Sequence, residues 1–273
     1  MGKVIAVTLP KGGVGKTTTA VNLAASLAVA EQRTLLVDMD PFGASGLSLG
    51  FTEEKIRSGL FEVFNFITNL PNSIHKTDLE HLDFIPCNVH SHQMEERLTR
   101  LADNRSILRN ALRAVIQRYD FVILDCPPFL RGLSTNALTA SDAVLVPVKS
   151  GHFALDAVDK LFKYLDWVRE IANRSLEVEG ILLTMHESNT RVGEITHREL
   201  QAKYGEYLLE ITIPKNAVLS EASFFGKPVI LYSVNSRGSA AYMSLAREII
   251  AREAARVTSA REQTGVRQLG QQM

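Results

Sequence analysis

The sequence predicts an α/β fold, with one domain built on a doubly wound, mostly parallel sheet of seven to eight strands. Three observations predict it. Short apolar runs of strand length alternate with longer amphipathic stretches along nearly all of the 273 residues, the pattern of a parallel sheet covered on both faces. The first apolar run, Val4-Ile5-Ala6-Val7, leads through a glycine-rich loop into an Ala-rich helix, the setting that a phosphate-binding loop needs. Two later runs close on aspartate, Leu35-Leu36-Val37-Asp38 and Val122-Ile123-Leu124-Asp125. Such sheets bind ligands beyond the carboxyl ends of their strands, so both acids point to the site of the loop.

Each element follows in order. The loop reads Pro10-Lys11-Gly12-Gly13-Val14-Gly15-Lys16-Thr17-Thr18. Its glycines permit backbone angles that turn successive N–H groups inward around a polyphosphate. The helix that starts near Lys16 adds its positive dipole end, Lys16 adds a full charge, and Thr17 offers a hydroxyl where Mg²⁺ would sit. Beyond the strand that ends at Asp38 and Asp40, residues 43–80 are turn-rich, with a helix expected over Leu60–Ile67 and another strand over Leu82–Pro86. Ser91–Tyr119 carries a helical pattern, with Leu108, Leu112, Val115 and Ile116 on one face. Beside that face Arg105, Arg109 and Arg113 form a stripe, extended by Arg97 if the helix is continuous; it reads either as a solvated face or as a polyanion contact.

The run that closes on Asp125 is a Walker B arrangement, a carboxylate placed to hold Mg²⁺. A strand at Ala143–Val148, an amphipathic helix at Phe153–Asn173 packing Trp167, and a strand at Gly180–Met185 follow. Then come a polar helix at Thr190–Tyr204, a last major strand at Tyr207–Ile213, and a final helix at Ser239–Arg256. The domain is read as residues 1–256, with 257–273 a flexible tail.

Thirty basic residues balance thirty acidic ones, so nucleic-acid binding requires a local patch. Cys87 and Cys126, with no apolar run of spanning length, suit a reducing cytoplasm and give no expectation of membrane binding.

The loop departs from the common G-x-x-x-x-G-K-[ST] pattern by placing Pro10 at the first glycine and adding a second lysine, Lys11. In this form it resembles the deviant Walker A loop of the ParA/MinD superfamily of P-loop NTPases. Asp38-Met39-Asp40-Pro41 resembles switch I of ParA ATPases, with Phe42 where glutamine is usual. Asp125-Cys126-Pro127-Pro128, Thr135–Asp142, and Ile213–Ala222 with Gly226-Lys227-Pro228 resemble further ParA blocks, the last of the Soj/ParA branch. The likeness runs from about Lys3 to Arg252.

The resemblance implies a weak ATPase that takes ATP and Mg²⁺, forms an ATP-dependent sandwich homodimer and binds double-stranded DNA without sequence preference. A ParB-like protein or cargo adaptor would stimulate hydrolysis, and the protein would be cytoplasmic and nucleoid-associated, segregating chromosome or plasmid cargo. It assigns Lys16 and the amides of Gly12, Gly13, Val14, Gly15, Thr17 and Thr18 to the phosphates, and Lys11 to the partner's nucleotide. Asp40 would place the attacking water, Thr17 and Asp125 the metal, and Pro214 and Asn216 the adenine. DNA candidates are Arg191, Arg198, Lys203, Lys215, Lys227 and Arg237.

Three other readings compete. One is ParA-like positioning of a non-DNA cargo, which Phe42 and Asn189 favour. A MinD-like membrane cycle is disfavoured because the tail has no compact apolar cluster. An Fe–S carrier using Cys87 and Cys126 is disfavoured because neither has glycine-rich surroundings.

Overall fold

The computed structural model describes residues 2–270, with side chains described to residue 259. Among them, eight strands form one sheet in the order β3-β4-β2-β5-β1-β6-β7-β8. They are β1 (Lys3–Val7), β2 (Thr34–Asp38), β3 (His75–Lys76), β4 (Leu82–Ile85), β5 (Phe121–Asp125), β6 (Ala143–Lys149), β7 (Glu177–His186) and β8 (Leu208–Pro214). Every neighbouring pair is parallel except the short β3 on β4. The chain leaves β1 to build one side of the sheet, returns through β5, and builds the other side from β6. That reversal lies at β1, so the loop after β1 opens into the crevice where doubly wound sheets bind ligands.

The central strands β1, β2, β4, β5 and β6 are buried on both faces, and their period of two assigns each residue to a layer. Val4, Ala6, Leu35, Val37, Val122, Leu124, Val144 and Val146 face one core. Ile5, Val7, Leu36, Ile123 and Leu145 face the other.

The second core is closed by α1 (Lys16–Val29) and α11 (Arg237–Gly270). Ala20, Ala24, Ala25 and Ala28 of α1 are buried, and such small side chains let a helix lie close to its neighbours. Thr19 and Tyr242 join the two helices through their hydroxyls at 3.2 Å. The short α2 (Ala44–Ser48) packs beside α1. The first core is closed chiefly by α5 (Ile107–Leu112), α6 (Leu133–Ala140), α7 (Ala154–Ile171) and α8 (Arg191–Tyr204). The remaining helices are α3 (Leu60–Phe64), α4 (His92–Leu101), α9 (Ala217–Phe224) and α10 (Val229–Tyr232).

Four expectations need correction. The helix expected over Leu60–Ile67 ends at Phe64, because Phe66 takes a left-handed φ of 58°, and Phe66 and Ile67 are exposed. The span Ser91–Tyr119 is α4 and α5, with turns at 102–106 and 113–115 and a 3-10 turn at Ile116–Arg118. Arg97 therefore lies on another helix, and Arg105 and Arg113 flank α5, which carries only Arg109 of the expected stripe. Trp167 is not core packing: it is 39% exposed and stacks outside on Tyr164, with the Arg105 guanidinium 5.2 Å from its ring centroid. The last helix runs on to Gly270, past the expected stop at Arg256, through Ala, Arg, Glu and Gln residues that favour helix. Residues 271–273 of the expected tail lie outside the described residues.

Candidate nucleotide site

The glycine loop joins β1 to α1. Gly13 and Gly15 have φ of 70° and 84°, and Gly15 is the residue before the helix. A Cβ at Gly13 would meet nothing within 4 Å, so the left-handed backbone, not crowding, demands glycine there. The Thr184 hydroxyl at the end of β7 donates to the Val14 carbonyl at 2.7 Å and ties the loop to the sheet.

Lys16 is 8% exposed, and its Nζ donates to the Lys11 carbonyl at 2.9 Å. Burial holds its pKa below the ordinary lysine value, against the pull of Asp125 and Asp40. The ammonium therefore sits at the helix N-terminus with a backbone carbonyl as its partner, an arrangement ready to exchange that carbonyl for an anion. Lys11 turns the other way, its Nζ 6.0 Å from the ring centroid of Phe153 in the same chain.

The acids gather at the same strand ends. Asp38 and Asp125 are direct neighbours in the register of β2 and β5, and both are fully buried. Asp38 accepts from the amides of Asp40 (3.0 Å) and Ser45 (3.1 Å). One oxygen of Asp125, Oδ2, accepts from the Ser45 hydroxyl at 2.8 Å; the other, Oδ1, is buried without a hydrogen-bond partner. Burial pushes Asp38 well above the usual carboxylate range, and the neighbouring Asp125 pushes the same way. Burial likewise lifts Asp125, to about 6, against the Thr17 and Ser45 hydroxyls. Asp40 is half-buried, accepts from the Phe42 amide at 3.1 Å, and is raised chiefly by burial. Phe42 itself is 87% exposed.

A cavity of 490 Å³ opens beside the loop, with Gly15, Thr18, Pro214, Asn216, Ser220 and Ser223 among its lining. Asn216 caps α9 through Oδ1, which accepts from the Val218 amide at 3.0 Å, and this leaves its Nδ2 for a ligand. Met185 also lines the cavity from a left-handed backbone with φ of 49°, a strained position for a non-glycine residue.

The structure thus gathers the loop, Lys16, Asp40, Asp125, Pro214 and Asn216 at one end of the sheet. Of the six DNA candidates, Arg191, Arg198 and Lys203 lie on α8, Lys227 precedes α10 and Arg237 opens α11, whereas Lys215 follows β8 and lines the cavity itself. Lys203 pairs with Asp159 at 2.7 Å and Lys215 with Glu187 at 3.3 Å. Sequence reasoning missed Ser45, Thr184 and Met185. A strand-end position for Thr184 and Met185 was the only signal; nothing in the spacing marked Ser45. Among the described residues no group of three His, Cys, Asp or Glu could hold a metal, and no helix is long and apolar enough to cross a membrane.

A doubly wound sheet with a glycine loop and lysine at a helix N-terminus, and aspartates on the adjoining strands, defines a P-loop ATPase. The comparisons with known proteins narrow the class. The family model described as "AAA domain" matches residues 2–178. The chain is 41% identical over 254 residues to the chromosome partitioning protein ParA of Myxococcus xanthus, spanning 93% of this chain and 89% of that one. It is 40% identical over 251 residues to the sporulation initiation inhibitor protein Soj of Bacillus subtilis, spanning 92% and 99%. A crystal structure of cobyrinic acid a,c-diamide synthase from Mycobacterium smegmatis, with bound ATP analog and magnesium, matches with a TM-score of 0.78 and 30% identity, covering 92% and 95%. The chain belongs to the ParA/Soj family of partitioning ATPases.

Proposed function

We propose that this protein is an ATP-driven partition switch: ATP closes two copies face to face, the dimer holds DNA without sequence preference, and hydrolysis stimulated by a partner releases it. The observation that supports this reading most is the under-satisfied strand-end cluster, a buried lysine on a backbone carbonyl beside a buried carboxylate oxygen with no partner.

The loop amides of Gly12, Gly13, Val14, Gly15, Thr17 and Thr18 cradle the phosphates, and Lys16 gives up the Lys11 carbonyl to reach them. The 490 Å³ cavity takes the base, between Pro214 and the free Asn216 amide. Magnesium fits the donor set: the bare Asp125 oxygen and the Thr17 hydroxyl are the hard ligands this ion takes alongside phosphates and waters. Bound there, it offsets phosphate charge. Asp40 accepts a hydrogen bond from the attacking water and aligns it with the γ-phosphorus; its raised pKa suits a group near the point of proton exchange. Lys11 leaves Phe153 and crosses to the partner's phosphates, where it offsets charge that develops during transfer.

The test measures binding to a long, arbitrary DNA duplex without nucleotide, with ADP and with ATP, for wild type and Asp40→Ala across a salt series. Binding with ATP alone, stronger in Asp40→Ala and lost as salt rises, is the expected result. DNA binding in no state would remove the switch.

A further inference from the structure

Ser45 stands outside every motif singled out in the sequence, yet it touches both buried carboxylates. It is fully buried in α2; its amide donates to Asp38 Oδ2 at 3.1 Å and its hydroxyl to Asp125 Oδ2 at 2.8 Å. A serine hydroxyl has one proton to donate, and here that proton goes to Asp125. The bond fixes the plane of the carboxylate and leaves Oδ1 as the oxygen without a partner.

The helix that carries Ser45 is itself held. Ser48, three residues on and therefore on the same side of the helix, meets the Ser223 hydroxyl at 2.8 Å, and Ser223 lines the 490 Å³ cavity. Gly46 lies against the Phe84 ring, where a Cβ would already be at 3.5 Å. So α2 spans from the cavity wall to the two aspartates.

We propose that Ser45 is the positioning residue for Asp125, orienting its free oxygen toward the cation site and coupling that carboxylate to α2. The inference rests on the reading of Asp125 as a magnesium carboxylate. The role is one of positioning: Ser45 acts through Asp125, to which its hydroxyl donates, as outer-shell partners of metal ligands do.

The experiment titrates a fluorescent ADP analogue into the full chain, with saturating magnesium and again with EDTA, for wild type, Ser45→Ala and Ser45→Thr. Magnesium tightens wild-type binding. Ser45→Ala loses about 10- to 100-fold of that tightening and matches wild type in EDTA, while Ser45→Thr restores the tightening. If the added methyl lowers the melting temperature of Ser45→Thr, Ser45→Cys takes its place and gives an intermediate value through its weaker donor. Full magnesium tightening in Ser45→Ala overturns the inference. So does an equal loss with and without magnesium, which marks Ser45 as structural only. Absence of any magnesium effect in wild type removes the Asp125 assignment itself, and Ser45's role with it.

Discussion

The two ends of the same parallel strands treat charge in opposite ways. At the amino ends the charged groups are matched. Lys3, 5% exposed, is bonded to Glu179 and lies 3.4 Å from Glu253, which Arg256 also holds at 2.8 Å. Asp142 accepts from the Val4 amide at 2.8 Å, and Arg33 grips both oxygens of Asp120 at 2.7 and 3.0 Å. The Tyr119 hydroxyl donates to Asp83 at 2.7 Å, with Lys76 on the same carboxylate. At the carboxyl ends Lys16 has only a carbonyl, Asp125 keeps a bare oxygen, and two aspartates lie side by side. Matched groups hold the strands and α11 together. Groups left short of partners in a buried place are where a ligand supplies what the fold withholds.

Mutating one lysine at each end tests this division. Lys16→Ala has the largest effect on function: ATP binding falls by at least about 100-fold, the loss of a charged contact and of the loop's cation together. Its melting temperature stays within a few degrees of wild type. Lys3→Ala leaves Glu179 buried and unpaired, which costs about 3–5 kcal/mol of stability and lowers the melting point by roughly 10 °C. ATP binding survives. Equilibrium nucleotide titration and thermal melting read both; a Lys3→Ala protein that keeps wild-type stability breaks the comparison.

Acid titration gives Asp125 at one end and Asp120 at the other opposite signs. Asp125 is pushed up to about 6 by burial, above the value near 4 of an unfolded aspartate. Between the two the native state holds the extra proton, so stability falls as pH rises, and the full penalty stands above the folded value. Asp125→Asn therefore raises the melting point of nucleotide-free protein at pH 8, and the gain shrinks to nothing near pH 4. Asp120 is held below the usual range, first by its hydrogen bond from Arg33. Its contribution is present above the unfolded value and is lost as pH falls through the folded one. Asp120→Asn lowers the melting point at neutral pH, by an amount that fades in acid. Melting curves of both variants from pH 4 to pH 8 that run in the same direction would end the argument.

Much of the carboxyl end was legible because its chemistry is local in sequence. The loop from Pro10 to Thr18 is nine consecutive residues, and Asp38, Asp40 and Asp125 announce themselves at the ends of apolar runs. What could not be read is what folding brings together from afar. Thr184 reaches Val14 across 170 positions, and Ser45 reaches Asp125 across 80. Neither pairing leaves a periodic trace. Trp167 misled for a related reason: it sits on a helix whose apolar stripe is real, with Leu161, Leu165 and Val168 buried, but just off the buried face. The break between α4 and α5 was hidden because Asp103, Asn104 and Arg105 interrupt the helix without glycine or proline.

The smallest effect concerns the basic residues, where pairing again separates candidates that look alike in sequence. Arg191 and Arg198 are exposed on α8, and no ion pair is formed by either among the described residues, whereas Lys203 on the same helix is 2.7 Å from Asp159. A phosphate contact releases condensed counterions, and each one lost should lower the slope of log affinity against log salt by about 0.9. A lysine already neutralised by a carboxylate must first leave it, so it contributes less. Arg191→Ala and Arg198→Ala should each lower the slope of the ATP-bound protein on duplex DNA by nearly that amount, and Lys203→Ala by markedly less. Asp159→Asn, which frees Lys203, should steepen the slope if Lys203 lies near the duplex at all. An unchanged slope in Asp159→Asn together with full loss in Arg191→Ala would place the DNA-binding face at the amino end of α8 and away from its carboxyl end.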